Sequence, residues 1–176
     1  MKSKLVILDA NVIIDMHRNG IWERIISLYE IHVPSTVIND EAVYFISKDN
    51  CQKQDITINE DANNSRIKIL EASINHILAL QEKVTNDFFN SIDPGEREAI
   101  ALLYSGDYED YKFCTGDKAA IRALTVFDLT FQGISLEKLL TESSMKFKGF
   151  SKNYSEKEFK RQQGLGLQEK DSYLRK

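Results

Sequence analysis

One apolar run, Leu5–Leu8, constrains the fold of this chain most strongly. Its residues are LVIL, with no polar position among them, and Asp9 ends the run directly. An uninterrupted run of this length is typical of a strand buried on both faces, the kind found inside parallel sheets. The chain has 176 residues, which suits a single domain with a core that folds without disulfides.

Helical and extended patterns alternate through the rest of the chain. The sequence predicts further strands at 31–33, 56–58, 111–114 and 126–129, and helices at 21–30, 35–48, 72–90, 94–104, 118–124 and 135–140. This alternation predicts an α/β fold, a three-layer α/β/α sandwich with a mainly parallel central sheet. In such sheets the functional crevice lies beyond the carboxyl ends of the strands.

Charge divides the chain into an acidic body and a basic C-terminal segment. Residues 146–176 contain nine Lys and Arg against four Asp and Glu, while the whole chain is −4, so residues 1–145 carry −9. We expect one domain over 1–145 and a basic tail over 146–176, either partly disordered or a short helix between Ser155 and Gly164. A body this acidic repels phosphate groups unless some of its carboxylates hold metal ions.

The basic tail begins with an alternation of lysines and aromatic residues over 145–154, MKFKGFSKNY. Lysines for phosphates and rings for bases suit single-stranded nucleic acid. A solvated chain end is the alternative interpretation of the same segment.

Membrane insertion and secretion are not expected for this chain. Its longest apolar run, at 99–104, has six residues, whereas a bilayer span needs about 20. Cys51 and Cys114 provide neither a disulfide framework nor zinc-ligand spacing. A reducing cytoplasm is therefore the expected location.

Carboxylates occur where a strand end or a core-facing helix position is predicted. Asp9 and Asp117 each follow a buried strand, and each could also cap the helix that comes after it. Of two neighbours in the helix predicted over 35–48, we prefer Glu41 to Asp40. Glu41 lies on the apolar side of that helix, where a carboxylate is costly unless it is paired or metal-bound.

Two glutamates compete for a role in the helix predicted over 94–104. Glu96 and Glu98 point about 200° apart on a helix, so they do not both face one cleft. Glu96 shares a face with Ile100 and is our preferred residue. It also suits a capping box with Asp93, which is a purely structural role.

A cluster of carboxylates in one cleft predicts a particular kind of chemistry. Their mutual repulsion in a low-dielectric cleft is relieved by a hard divalent cation. Ligands that are all oxygen favour Mg²⁺ or Mn²⁺ over zinc. Such a site can activate water and stabilise phosphoryl displacement.

Four segments resemble, in order, the motifs of the PIN-domain family of metal-dependent nucleases. They are LDANVIID at 8–15, VPSTVINDEAVYF at 33–45, DPGEREAIAL at 93–102 and FCTGDKAA at 113–120. The resemblance covers about residues 4–140 and leaves the last 30 residues outside it. It implies a PIN-like fold and an acidic site built from Asp9, Glu41, Glu96 and Asp117, with Asn11 and Thr115 as supporting polar residues.

The resemblance implies a Mg²⁺- or Mn²⁺-dependent endoribonuclease that hydrolyses RNA phosphodiester bonds. Asp9, Glu96 and Asp117 would bind the metal, and Glu41 would orient a ligand or the attacking water. Asp40 and Glu98 remain alternates, because neighbouring acids blur the second and third motifs. Small family members are toxins of bacterial type II toxin–antitoxin pairs, which implies an antitoxin partner and a homodimer.

Two other functions compete with this interpretation. The first is a PIN-like module that has lost catalysis and binds nucleic acid or protein. The second is a phosphoacceptor receiver-like domain, which also gathers acids at strand ends. The receiver needs a lysine at the end of a later strand, whereas Lys118 falls at the start of a predicted helix.

Overall fold

A computed structural model describes residues 5–42, 44–47 and 51–175 of the chain. In this part of the chain, the central sheet has five strands, β1 Leu5–Leu8, β2 Glu30–Pro34, β5 Lys68–Leu70, β6 Lys112–Cys114 and β7 Gly133–Ile134. They pair in parallel, in the order β5-β2-β1-β6-β7. The prediction of an α/β fold with a mainly parallel sheet is confirmed.

Helices cover both faces of this sheet. One layer contains α1 Ala10–Arg18, α2 Trp22–Leu28, α3 Ile58–Asn63 and α8 Leu136–Glu142. The other contains α4 Ile74–Lys83, α5 Asn86–Asn90, α6 Pro94–Tyr104, α7 Lys118–Val126 and α9 Glu156–Tyr173. The side chains of β1 alternate between the two layers, with Val6 and Leu8 in one core cluster and Ile7 in the other. The molecule is therefore the three-layer α/β/α sandwich that the sequence predicted.

Of the described residues in the predicted helix over 35–48, residues 35–41 are helical and the prediction is wrong from Ala42 onwards. A five-residue π-helix, Val37–Glu41, is closed by the Ala42 N–H, which donates to the Val37 carbonyl at 2.8 Å. A hairpin of β3 Tyr44–Ile46 and β4 Lys53–Asp55 follows it. The aromatic and β-branched residues of Tyr44–Ile46 favour a strand. The helical spacing of the apolar residues led to the different prediction. Residues 43 and 48 of the predicted helix lie outside the described residues.

Two predicted strands and one predicted helix also differ from the structure. Residues 56–58 are not a strand, because Ile58 already begins α3, and Val126 ends α7 where a strand over 126–129 was expected. The outer strands are instead β5 and β7. The single helix predicted over 72–90 is two helices, α4 and α5, which separate where Val84 pairs with Leu174 near the C-terminus. That break depends on a distant segment, so the local pattern did not reveal it.

The C-terminal helix is longer than predicted. It continues through Gly164 and Gly166 to Tyr173, and it packs along α7. Phe159 and Gln162 on this helix are buried. None of the helices in the described ranges is long and apolar enough to cross a membrane.

Candidate functional site

The candidate site lies where the strand order reverses. The chain adds β2 and β5 on one side of β1, and then β6 and β7 on the other side. In open α/β sheets a crevice forms at the carboxyl ends of the strands at such a reversal. Asp9 directly follows β1, and Thr115 and Asp117 follow β6. The topology therefore brings these three side chains to one edge of the sheet.

Asp9 and Asp117 each cap the helix that follows them, which is one of the two roles expected from the sequence. Asp9 is the N-cap of α1, and its Oδ1 accepts from the Asn11 N–H at 3.4 Å. Asp117 is the N-cap of α7, and its Oδ1 accepts from the Ala119 and Ala120 N–H groups at 2.7 and 3.0 Å. Each cap uses only the Oδ1 atom of its aspartate. The Oδ2 atom can therefore take part in an acidic site while the residue caps its helix.

The Thr115 hydroxyl connects two of the predicted site carboxylates. Thr115 is fully buried, and its Oγ1 accepts from the Asp117 N–H at 3.0 Å. The same Oγ1 lies 3.1 Å from Asp9 Oδ2 and 3.4 Å from Glu96 Oε1. A hydroxyl has a single proton to donate. One hydroxyl proton thus serves two carboxyl groups. In the described part of the chain, each of these groups has only a backbone N–H besides, from Asn11 for Asp9 and from Asp93 for Glu96.

Burial raises the pKa of both carboxyl groups. Asp9 and Glu96 are each 2% exposed. Desolvation raises the pKa of Asp9 to about 7, although hydrogen bonds from Thr115 and Asn11 oppose this rise. Desolvation, followed by repulsion from Asp9 and Asp117, raises the pKa of Glu96 to about 10. Near neutral pH the pair therefore retains protons that exposed carboxyl groups would have lost.

The oxygen atoms of this cluster are of the chemical type that hard cations prefer. Glu96 Oε2 is buried and has no hydrogen-bond partner within the described ranges, and a buried polar atom without a partner costs free energy. The donors are carboxylate and hydroxyl oxygens, which Mg²⁺ and Mn²⁺ prefer. Among the described residues, no group of three or more His, Cys, Asp or Glu side chains is placed so that it could hold a metal ion. Asp9 and Glu96 therefore provide two carboxylates of the right chemistry, and a metal site would need further ligands.

The Glu41 carboxylate contacts the N-terminus of α6 and not the Thr115 hydroxyl. Its Oε1 accepts from the Gly95 N–H at 3.0 Å, a favourable place for an acidic group at a helix N-terminus. A Cβ at residue 95 would lie 2.4 Å from Glu41 Oε2 and 2.6 Å from Val37 Cγ2, so this approach requires glycine. Burial raises the pKa of Glu41, and its charge also raises the pKa of Asp9. The alternate in this motif, Asp40, is exposed.

The second alternate, Glu98, is buried at a different place. Its Oε1 accepts from Ser35 Oγ at 2.8 Å and from the Ala72 N–H at 3.0 Å, and its Oε2 accepts from the Thr36 N–H at 2.9 Å. These bonds hold together the segments that follow β2 and β5. Of the two glutamates in α6, the structure thus brings Glu96 to the threonine and gives Glu98 a structural role.

A cavity of about 310 Å³ opens beside Asp117 of the candidate site. It is lined by Asn11, Asp15, Gly116, Asp117, Ser151, Asn153 and Tyr154. The Tyr154 side chain is buried and hydrogen-bonds to Asp15, and its ring lies so close to Gly116 that a Cβ there would be 2.4 Å away. Burial and the neighbouring carboxylates raise the pKa of Tyr154 well above its ordinary value.

The C-terminal side of this cavity was not predicted from the sequence. Ser151, Asn153 and Tyr154 lie outside the four motifs, and only the alternation of lysines and aromatic residues over 145–154 drew attention to the segment. In the structure Phe147 and Phe150 stack on each other, with ring centroids 5.5 Å apart, and pack against the core. Their half-buried rings therefore contribute to packing, and the base-stacking role stays a prediction.

Comparisons with known proteins do not assign this site. A scan against family models, a search of curated proteins and a search of solved structures each found no significant match to this chain. We therefore argue the function from the contacts around Thr115 and from the resemblance of the four motifs.

Proposed function

We propose that this protein is a metal-dependent endoribonuclease of the PIN-domain type, which hydrolyses RNA phosphodiester bonds with Mg²⁺ or Mn²⁺. The observation that carries the proposal is the pairing of Asp9 and Glu96 on one Thr115 hydroxyl at the carboxyl ends of β1 and β6. Two buried carboxyl groups with one donor between them form a centre that a hard cation stabilises.

The chain's own residues have separate roles in this proposal. Asp9, Glu96 and Asp117 would hold the metal, and Thr115 keeps the first two in place. A divalent cation at such a site offsets the charge of the phosphate and lowers the pKa of a bound water. Glu41 is fixed at the start of α6 by Gly95, and we assign it the orientation of the attacking water.

The acidic surface supports a cation-dependent mechanism. Residues 1–145 carry −9, which repels a polyanionic substrate. A divalent cation between the carboxylates reverses the local sign of the charge at the point where a phosphate must approach. A nuclease that worked without metal would lack this compensation.

The resemblance extends the proposal to a biological setting. It favours a toxin of a bacterial toxin–antitoxin pair that acts in the cytoplasm, with an antitoxin protein as its partner and a homodimer as its assembly. Cys51 and Cys114 form no disulfide, in keeping with a reducing compartment.

The proposal is tested by cleavage of a mixed RNA pool with Mn²⁺. Asp9→Asn removes one carboxylate but keeps an oxygen that can cap α1, so the fold is retained and cleavage falls to background. Asp40→Asn is the matched control, because it removes an exposed carboxylate from the neighbouring π-helix and should cleave like the wild type. Gel analysis of the RNA over time, with and without EDTA, provides the measurement.

Two results would contradict this assignment. Equal cleavage by the wild type and Asp9→Asn would separate the activity from the acidic centre. An RNA pool left intact by the wild type would favour the PIN-like module that binds nucleic acid or protein without cleaving it.

A further inference from the structure

The cavity beside Asp117 is built from parts of the chain that are far apart in sequence. Asn11 and Asp15 come from α1, Asp117 follows β6, and Ser151 and Asn153 belong to the turn that precedes α9. Asp117 and Asn11 thus belong to the candidate site, whereas Ser151 and Asn153 lie outside the four motifs.

The C-terminal wall is held in place by the protein itself. Phe147 and Phe150 pack against the core, and Tyr154 is buried against Gly116. Ser151 caps the turn that carries Asn153, and the side chains of both residues are exposed. Because packing of the neighbouring aromatic residues fixes the backbone of this turn, the side chains of Ser151 and Asn153 line the cavity before a ligand binds. Binding therefore costs less conformational entropy.

The size and chemistry of the cavity suit one nucleoside unit. A volume of about 310 Å³ lies at the lower end of the range for small-molecule sites. Asn11, Ser151 and Asn153 carry amide and hydroxyl groups, which both donate and accept hydrogen bonds. Base edges and ribose hydroxyls need partners of this kind, and proteins read single-stranded RNA in this way.

The distribution of charge indicates which part of a bound nucleotide enters the cavity and which part stays outside it. No lysine or arginine is among the described residues that line the cavity, so the cavity offers a phosphate no cationic partner. Lys146, Lys148 and Lys152 are exposed in the neighbouring segment, where they attract the phosphodiester chain. The uncharged part of a nucleotide is therefore the part that fits the cavity.

We propose that this cavity binds the nucleoside next to the scissile phosphate of single-stranded RNA, and that Asn153 and Ser151 are positioning residues for it. This inference rests on the proposed function, since the neighbouring acidic site is what defines the scissile phosphate. It assigns a substrate-binding role to a segment that the four motifs do not include.

The test is RNA affinity, measured by fluorescence anisotropy with a fluorescein-labelled 12-nucleotide RNA of mixed sequence. All proteins carry Asp9→Asn, which prevents cleavage during the measurement. Adding Asn153→Ala should weaken binding about fivefold, the usual effect of losing one or two hydrogen bonds. Asn90→Ala is the matched control, because Asn90 is an exposed asparagine at the end of α5 that does not line the cavity.

The outcomes separate this inference from the proposed function. If Asn153→Ala and Asn90→Ala bind RNA equally well, the inference is wrong, even where the otherwise wild-type protein cleaves RNA with Mn²⁺. If Asn153→Ala alone loses affinity while the protein with Asp9 intact leaves RNA uncut with Mn²⁺, the cavity binds RNA and the nuclease proposal fails. Absence of RNA binding by the Asp9→Asn parent would also overturn the inference.

Discussion

Glu96 shows at the scale of one residue how burial produces an unusual titration. Its side chain is 2% exposed, Oε1 shares the Thr115 hydroxyl with Asp9, and Oε2 has no partner in the described part of the chain. The sequence indicated Glu96 through its helical face. It could not reveal the shared hydroxyl, because Thr115 and Glu96 meet only after β6 and α6 have packed.

The raised pKa of Glu96 predicts how the stability of the metal-free protein depends on pH. Its pKa rises from 4.5 to about 10 on folding, so above pH 4.5 the folded state keeps a proton that the unfolded state releases. The free energy of unfolding therefore falls as pH rises from about 4.5 towards 10. Glu96→Gln removes this dependence and should stabilise the protein at pH 8 by about 1–3 kcal/mol.

Urea unfolding in EDTA at pH 4.5 and pH 8 measures this effect. The gain from Glu96→Gln should be present at pH 8 and nearly absent at pH 4.5. Glu98→Gln is the control, since Glu98 accepts three hydrogen bonds and should show no gain at pH 8. Equal stability of wild type and Glu96→Gln at both pH values would argue against a raised pKa.

Elements with strong local signals were predictable from the sequence, and elements that depend on distant partners were not. β1 is an uninterrupted apolar run, and α6 begins with Asp93 and Pro94 as its N-cap and first helical residue. In contrast, the break between α4 and α5 follows from contacts with the C-terminus, where the Thr85 N–H donates to the Tyr173 carbonyl at 2.8 Å. The local signal in residues 72–90 is Thr85, which caps α5 by accepting from the Phe88 N–H, but it does not reveal the contact with the C-terminus.

The two glycines of α9 should respond in opposite ways to alanine. A Cβ at Gly166 would lie 2.9 Å from the Cα and carbonyl oxygen of Arg122 on α7, whereas a Cβ at Gly164 meets nothing within 4 Å. Gly166→Ala should therefore destabilise the protein by about 1–3 kcal/mol through overpacking. Gly164→Ala should stabilise it by about 0.5–1 kcal/mol through helix propensity.

Thermal unfolding of the two variants beside wild type checks this pair. Each variant is the control for the other, because both make the same substitution in the same helix. A similar gain in stability from both would show that α9 does not pack closely on α7.

At the scale of the whole molecule, the C-terminal segment belongs to the packed structure. Phe159 and Gln162 of α9 are buried, and Tyr154 covers Gly116 beside the acidic site. The charge pattern suggests testing the basic tail by removing residues 146–176. The structure shows that such a truncation would uncover the core, so a loss of RNA binding would reflect unfolding. Single substitutions at exposed residues avoid this ambiguity.

The candidate site shows the same division between local and distant information. Asp9, Thr115 and Asp117 could be expected together because the carboxyl ends of parallel strands share one edge of the sheet. The place of Glu41 could not, because it depends on the π-helix and on Gly95. Asn153 and Tyr154 were beyond prediction, since the packing of α9 brings their turn to the cavity.

Calorimetric titration of Mn²⁺ at pH 8 is the most direct test of the central claim, that Asp9, Glu96 and Asp117 form a divalent-cation site. The wild type and Asp40→Asn should bind Mn²⁺ with the same affinity, and Glu96→Gln should bind at least about tenfold more weakly. Absence of Mn²⁺ binding by the wild type, or equal binding by Glu96→Gln and Asp40→Asn, would contradict the claim.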